Sequence, residues 1–491
     1  MSPKPRVAMV SSEMYPFAKS GGLGDVLGAL PPALARQGVE VSVFLPAYKS
    51  LLQKGGFAPL NGDLPDAFGA PEVRYTVFKG RFDGAQVYAV RSGDLFDREG
   101  FYGDDGGEYP DNALRFSRFC RGVLSALGQM GSPPEILHCH DWQSALVPAL
   151  LKTRLGGSPA WARTASVMTI HNLGYQGRYA SDDFQHTGLP PEAFGIDGVE
   201  YYGDLNLLKG GIVCAEVVST VSESYAQEIQ TAEQGNGLEG VIASRAGDLL
   251  GIMNGVDYAV WDPAKDPCLA ASYSREDMEG KAACRRALRT ELGLKGGGRG
   301  GPLCVMVSRL ASQKGVELLM ATLEDLLWMG LEVAVLGTGE VAYETSLRRA
   351  AERHHKQMAF RGLFNERLAH LFFAGGDLLL MPSRYEPAGL NQLYAMRYGT
   401  LPLVRTVGGL ASSVIAHKEI DLERDTGFQF QGFNPAELLW GVVRACRAFE
   451  DKEAWRRLVW NAMSQDFSWD RIVPRYLELY EGALARRAAR G

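Results

Sequence analysis

Apolar residues in this chain gather in short runs that stop at polar, glycine-bearing turns. Residues 7–10 (VAMV) form the first run. It ends at Ser11-Ser12-Glu13, and Lys19-Ser20-Gly21-Gly22-Leu23-Gly24-Asp25-Val26 follows. Leu27, Leu30 and Leu34 then recur at helical spacing as far as Gly38, and residues 39–45 read as a second strand. Strand, glycine-rich turn, helix and strand in that order predict a βαβ unit. Residues 71–90 alternate apolar and polar and predict sheet; 95–112, rich in Gly, Asp and Tyr, predict a surface loop. Helical spacing returns over 113–127. Residues 136–142 (ILHCHDW) predict a strand running into a polar turn, with a helix from Ser144. Residues 165–170 predict a strand that stops at His171-Asn172, and 216–221 another, with Ser222 as N-cap of the next helix. A glycine-rich loop spans 235–240. Residues 252–257 (IMNGVD) step into an Asn-Gly turn, and a domain hinge is placed just beyond, before Trp261.

The rhythm then restarts. Residues 293–302 hold six glycines and predict a flexible surface turn. Residues 303–307 predict a strand that ends in Ser308-Arg309-Leu310-Ala311-Ser312-Gln313-Lys314-Gly315, with a helix from Val316. Residues 331–336 lead into Gly337-Thr338-Gly339-Glu340, a nucleotide-type turn, and 358–362 are extended. Residues 377–381 form an apolar run that enters PSRYEPAGLNQLYAMRYG, 382–399, a polar turn followed by an amphipathic helix. Residues 401–404 predict a strand ending near Gly408-Gly409-Leu410, a second loop of close backbone approach. Helices fill 435–463, and a last one over 471–487, apolar at Ile472, Tyr476, Leu479 and Tyr480, is expected to pack back on the body. Two series of alternating strands and helices predict an α/β protein of two doubly wound, Rossmann-like domains, 1–257 and 258–464. Residues 465–491 carry the terminal helix.

Composition narrows the class. The chain has 491 residues, too many for one core. Its formal net charge of −6 gives no sign of a nucleic-acid partner. No run reaches the roughly 18 apolar residues of a membrane span, and the first residues, MSPKPRVAMVSSEMYPF, do not read as an apolar signal segment with a small-residue cleavage site, so none is expected. Seven scattered cysteines without a Cys-x-x-Cys pair argue against a disulfide framework or zinc site and for a reducing cytoplasm.

The candidate chemistry sits where strands end. Glu386, in the 382–390 turn, is placed to meet a ligand hydroxyl or else to help cap the helix, and the N–H groups of 388–391 are placed to receive an anion. Arg309 and Lys314 share one short turn and together suit a diphosphate, the alternative being two solvated charges. Lys19 and its glycines suit a phosphate or a tight turn. The fingerprint Gly-x-Gly-x-x-Gly fails because Leu27 stands at the third glycine. Tyr102 can stack on a sugar ring or pin its loop. His138 and His140 share a strand face, and without a third ligand at metal spacing they read as packed, hydrogen-bonded histidines. There is no Asp-x-Asp, so a metal-bridged nucleotide sugar is not favoured. Polar groups of both domains are expected to converge on one cleft.

Taken together the motifs carry a resemblance that covers almost the whole chain. They are the Lys-x-Gly-Gly-Leu loop at Lys19, HDW at 140–142, HN at 171–172, NGVD at 254–257, SRL-x-x-QKG at 308–315, PSR-x-EP-x-GL at 382–390, GGL at 408–410 and DFSW at 466–469. In this order they resemble the bacterial glycogen synthases and plant starch synthases, which are α-1,4-glucan glucosyltransferases using a nucleotide-diphosphoglucose. The resemblance implies two Rossmann-like domains of the GT-B type facing a central cleft, with the last helix returning to the first domain. It implies retaining, metal-independent transfer of glucose from ADP-glucose to the non-reducing end of an α-1,4-glucan. ADP-glucose is then a substrate and no cofactor is expected. It implies that Arg309 and Lys314 hold the diphosphate, that Glu386 binds the transferred glucose and that His171 lies beside it. Lys19, Gly22, Asp25, Asp141, Asn172, Asn254, Gly339, Gly389, Leu390 and Gly409 are implied to contact substrate, and Tyr102 to help with the acceptor. No membrane partner is implied, and the motifs carry no reading of oligomeric state. Ser20, Gln143, Ala388, Asn391 and Ser412 depart from the family pattern, which has Thr, His, Cys, Thr and Asp there. Those departures bear on the donor, UDP-glucose being the alternative, and on the acceptor. A glucan-binding scaffold without catalysis is a further alternative, opposed by the presence of Lys19, Arg309, Lys314 and Glu386.

Overall fold

The computed structural model describes residues 4–60, 62–104, 107–131, 133–295 and 300–490. Part of the glycine-rich turn expected over 293–302 therefore lies outside the described residues. The chain forms two compact units: residues 1–255 with 469–491, and residues 256–468. The divide falls close to where the chain crosses twice. Val256 donates its N–H to the Phe467 carbonyl (2.7 Å) and bridges to Ser468, so the two crossing segments run side by side in the second unit.

The first unit is built on β1 (Arg6–Val10), β2 (Glu40–Pro46), β3 (Arg74–Phe82), β4 (Ala85–Arg91), β5 (Ile136–His140), β6 (Ala165–Ile170), β7 (Val217–Thr220) and β8 (Leu249–Gly251). Their order is β8-β7-β6-β5-β1-β2-β4-β3, parallel throughout except for the β3–β4 hairpin. Both faces of a parallel sheet are covered, which is why every residue of β5 and β6 is buried, whereas β3 at the edge alternates between buried and exposed positions. The helices α1 (Gly22–Arg36) and α2 (Asn112–Gln129) help to cover it. The predicted helix after Ser144 is short, Leu146–Leu150, and widens into a π-helical turn over Leu151–Leu155. The chain leaves β1 toward β2 and later returns on the other side at β5. The polar turns after β1 and β5 therefore open side by side at the carboxyl edge, where ligands bind in such sheets.

The second unit's sheet is parallel throughout. Its strands are β9 (Leu303–Val307), β10 (Glu332–Leu336), β11 (Met358–Arg361), β12 (Leu378–Met381), β13 (Leu401–Arg405) and β14 (Phe428–Phe430), in the order β11-β10-β9-β12-β13-β14. The reversal falls between β9 and β12. The turn bearing Arg309 and Lys314 and the turn bearing Glu386 thus lie next to each other, before α3 (Val316–Trp328) and α4 (Asn391–Arg397). One expectation changes. Gly408-Gly409-Leu410 is not a loop but the start of α5 (Gly408–Ser413). The glycines are there for space, since a Cβ on Gly408 would come 2.1 Å from the Glu386 carbonyl oxygen, and one on Gly409 1.9 Å from that of Ala388.

The terminal helix α6 (Trp469–Arg490) belongs to the first unit. Trp469, Val473, Tyr476, Leu479, Tyr480 and Ala483 form its buried stripe, which packs against α1 and across β5, β6 and β7. Gly255 makes room for the Trp469 indole, 2.6 Å from where a Cβ would stand. Among the described residues no helix is long and apolar enough to cross a membrane, and all seven cysteines are unpaired.

Candidate active site

In the second unit the chemistry gathers at the β9–β12 reversal. Glu386 is buried, and its carboxylate accepts from Lys314 Nζ at 2.5 Å and from Ser383 Oγ at 3.2 Å. The Lys314 turn is held against the Glu386 turn by backbone contacts. Arg384 N–H donates to Gln313 O (2.8 Å) and Gln313 Nε2 to Tyr385 O (3.4 Å). Gly315 closes that turn at φ 69°, and a Cβ there would stand 1.9 Å from the Pro382 carbonyl oxygen. Only glycine satisfies both demands. Arg309 lies on the same turn, with Gln313 Oε1 3.5 Å from its Nη2. Gly339 packs onto this turn too, the Leu310 N–H bonding Thr338 O and the Glu340 N–H bonding Leu310 O, each at 2.8 Å. Gly389 has φ 64°, Leu390 is the N-cap of α4, and the Gly409 N–H donates to the carbonyls of Glu386 and Pro387. The structure thus brings Arg309, Lys314, Gly339, Glu386, Gly389, Leu390 and Gly409 into one neighbourhood.

In the first unit the turns after β1, β5 and β6 carry the remaining candidates. Glu13, which the sequence reading passed over, organises them. Its buried carboxylate accepts Ser20 N–H and Ser20 Oγ at 2.6 Å each, Gly21 N–H at 3.2 Å and Tyr102 OH at 2.7 Å. The acid directly after β1, ahead of a glycine-rich turn, was the available signal. Tyr102 also bonds Ser12 Oγ at 2.8 Å and its ring packs on Phe101 and Phe116, so it pins its loop. Lys19 Nζ lies 2.6 Å from Asp25 Oδ1, just beside the N-terminus of α1, which begins at Gly22.

Asp141 sits at φ 57°, a left-handed conformation that Asp tolerates better than most residues. Its carboxylate accepts the N–H groups of His171 (2.7 Å) and Asn172 (3.3 Å), which sets the turn after β6. Burial nonetheless raises its carboxyl to about 7. Burial lowers His138 and His171 to about 3 and His140 well below the usual histidine range, so all three rings are neutral. His138 is fully engaged, with Tyr480 OH at 2.9 Å and Thr169 Oγ1 at 2.6 Å. His140 meets His171 instead, Nδ1 to Nε2 at 3.0 Å. Asn172 Oδ1 caps Gly174 N–H, and Asn254 is buried after β8.

One group of metal-ligand types lies together among the described residues: Asp266, Cys268 and His370 of the second unit. Its donors are already satisfied. Asp266 Oδ2 binds His370 Nδ1 (2.7 Å) and Tyr398 OH (2.6 Å), Asp266 Oδ1 takes the Cys268 N–H, and Trp261 stacks on the imidazole. It is a hydrogen-bonded cluster, and none of its residues stands on the turns described above.

Comparison with known proteins bears on this geometry. The family profile described as the starch synthase catalytic domain matches residues 6–244, and that of glycosyl transferases group 1 matches 296–458. A glycogen synthase from Syntrophotalea carbinolica is 43% identical over 97% of this chain and 99% of its own. One from Anaeromyxobacter dehalogenans is 45% identical over the same shares, 97% and 99%. Among solved structures, the catalytic domain of starch synthase IV from Arabidopsis thaliana, bound to ADP and acarbose, superposes with a TM-score of 0.90 at 33% identity, covering 98% of this chain and 100% of that one. A sucrose-phosphate synthase from Thermosynechococcus elongatus, 17% identical with a TM-score of 0.62, shares the fold.

Proposed function

The chain belongs to the starch and glycogen synthase family of glycosyltransferases, and on that premise we propose that it transfers glucose from ADP-glucose to the non-reducing end of an α-1,4-glucan. The transfer retains the anomeric configuration and uses neither metal nor cofactor. The observation that carries the reading is the Lys314–Glu386 pair, 2.5 Å apart at the point where the second unit's strand order reverses, with Arg309 on the Lys314 turn. A bound donor competes for this pair. Its diphosphate takes the Lys314 ammonium and the Arg309 guanidinium, and the freed Glu386 carboxylate accepts from the glucose hydroxyls. As the glycosidic bond breaks, negative charge grows on the leaving phosphate, and the two cations stabilise it more than they stabilise the ground state. The packed glycines 339, 389 and 409 let backbone approach the ligand. In the first unit Lys19, Gly22 and Asp25 supply donor contacts, His171, Asn172, Asp141 and Asn254 the sugar contacts, and Tyr102, fixed by Glu13, the acceptor contact. The ADP bound to the Arabidopsis starch synthase supports the choice of base, and the acarbose bound there supports a glucan acceptor.

The test is incorporation of labelled glucose into glycogen from ADP-glucose and UDP-glucose in parallel, in EDTA. Incorporation from ADP-glucose is expected. Preference for UDP-glucose would overturn the donor, loss of activity in EDTA the metal-free reaction, and no transfer from either sugar the reaction itself.

A further inference from the structure

The three histidines of β5 and of the turn after β6 are not equivalent, and the difference lies in one nitrogen. His138 uses both ring nitrogens, on Tyr480 and Thr169. His140 is fully buried, its Nδ1 is shared with His171 Nε2 at 3.0 Å, and its Nε2 is buried with no partner. The His138 ring lies beside it, tilted by 36° with centroids 4.1 Å apart, but has no nitrogen left to offer. His171 is half-buried on the turn after β6, and its Nδ1 makes no hydrogen bond among the described residues.

Both rings being neutral, one proton lies between His140 and His171, and it belongs to one of them. If His171 Nε2–H were the donor, the proton of His140 would sit on Nε2 as a buried N–H with no acceptor. If His140 Nδ1–H is the donor, the orphan at His140 is only a lone pair. Buried N–H groups without partners are the rarer and costlier case. The same choice decides what His171 shows outward, because the proton of a neutral imidazole that accepts at Nε2 must sit on Nδ1.

We infer that His140 is a positioning residue: its Nδ1–H donates to His171 Nε2 and fixes His171 as the Nδ1-protonated tautomer. This rests on the reading above that His171 lies beside the transferred sugar. His171 then meets the sugar as a neutral hydrogen-bond donor to one of its oxygens, not as a base that removes a proton. His140 reaches the reaction only through His171.

The tautomer is read directly from the wild-type protein, without substrate. Two-bond proton–nitrogen correlation on protein labelled with nitrogen-15 histidine, with His171→Gln and His140→Asn for assignment, is expected to show His171 protonated on Nδ1 and bare at Nε2. A proton on Nε2 would overturn the inference. Kinetics give the second reading. The amide of His140→Asn restores a donor near the Nδ1 position, whereas His140→Leu does not. His140→Asn is expected within about threefold of wild-type kcat, and His140→Leu about 100-fold lower with a nearly unchanged KM for ADP-glucose. Equal losses in the two variants would sink a role through hydrogen bonding. Should wild-type protein transfer no glucose, the proposed function fails, while the tautomer still stands or falls on the spectrum.

Discussion

Lys314 and Glu386 hold each other in a partly buried pair, so removing either affects both chemistry and stability. Lys314→Ala takes a cation from the leaving group and strands a buried carboxylate. We expect kcat to fall about 10²- to 10³-fold, measured below the melting temperature of the variant. Turnover near that of the parent would remove Lys314 from the mechanism. Glu386→Ala should leave ADP affinity within a few-fold by calorimetry while transfer is lost; full transfer would contradict the role given to that turn. Asp141 makes a prediction of another kind. Its carboxyl titrates at about 7 when folded, against an ordinary value of 3.8. Between those values the folded protein holds a proton that the unfolded chain has released, so the group's contribution to stability is present in acid and is lost as pH rises through about 7. Asp141→Asn cannot ionise, so its melting temperature should gain on the parent's from pH 5 to pH 8 and run parallel above. A difference that stays flat over that range would show that burial does not govern this carboxyl. The buried histidines act in the opposite direction: held near 3 when folded, His138 and His171 lose their contribution as pH falls below about 6.5.

At the scale of elements, the strands were legible because a sheet covered on both faces needs apolar residues at successive positions. Residues 165–170 and 303–307 could be read to their ends. What could not be read depended on partners far away in the chain. Gly408 and Gly409 look like a loop, and only the carbonyls of Glu386 and Ala388 lying against them explain why a helix starts there with two glycines. Glu13 looked like the end of a strand, because its partners come from Ser20 and from Tyr102, 89 residues on. His140 could be recognised as a packed histidine, but its neighbour His171 comes from the turn after another strand. The strand Phe428–Phe430 is three residues long, too short for a pattern. The Tyr480–His138 bond offers a test at this scale. It joins α6 to the middle of the first unit's sheet and is wholly buried. Tyr480→Phe keeps the ring and removes the hydroxyl, leaving His138 Nδ1 without a partner. The expected cost is about 1–3 kcal/mol in urea unfolding, with kcat unchanged. A neutral result would mean that α6 is held by its apolar stripe alone.

At the scale of the whole molecule, the two units are closed in different ways. Residues 256–468 form a continuous segment with its own core, whereas the first unit needs residues from both ends of the chain. Each large side chain in the buried stripe of α6 contributes about 1.5–3 kcal/mol. Summed, that rivals the about 5–15 kcal/mol by which a domain is stable. A chain ending at Ser468 is therefore expected to lose the cooperative melting of the first unit and to bind a hydrophobic dye. A cooperative transition retained for that unit would show α6 to be dispensable. The double crossing at Val256 and Phe467 also sets an order of events during synthesis. Chains emerge from the ribosome amino end first, at about 5–20 residues per second. Residues 256–468 can fold as soon as they are out. The first 255 residues must wait through that whole interval, at least about ten seconds, with the bed of α6 on β5, β6 and β7 uncovered. The part of the protein made first is thus the part finished last, and a nascent-chain chaperone would find its work there.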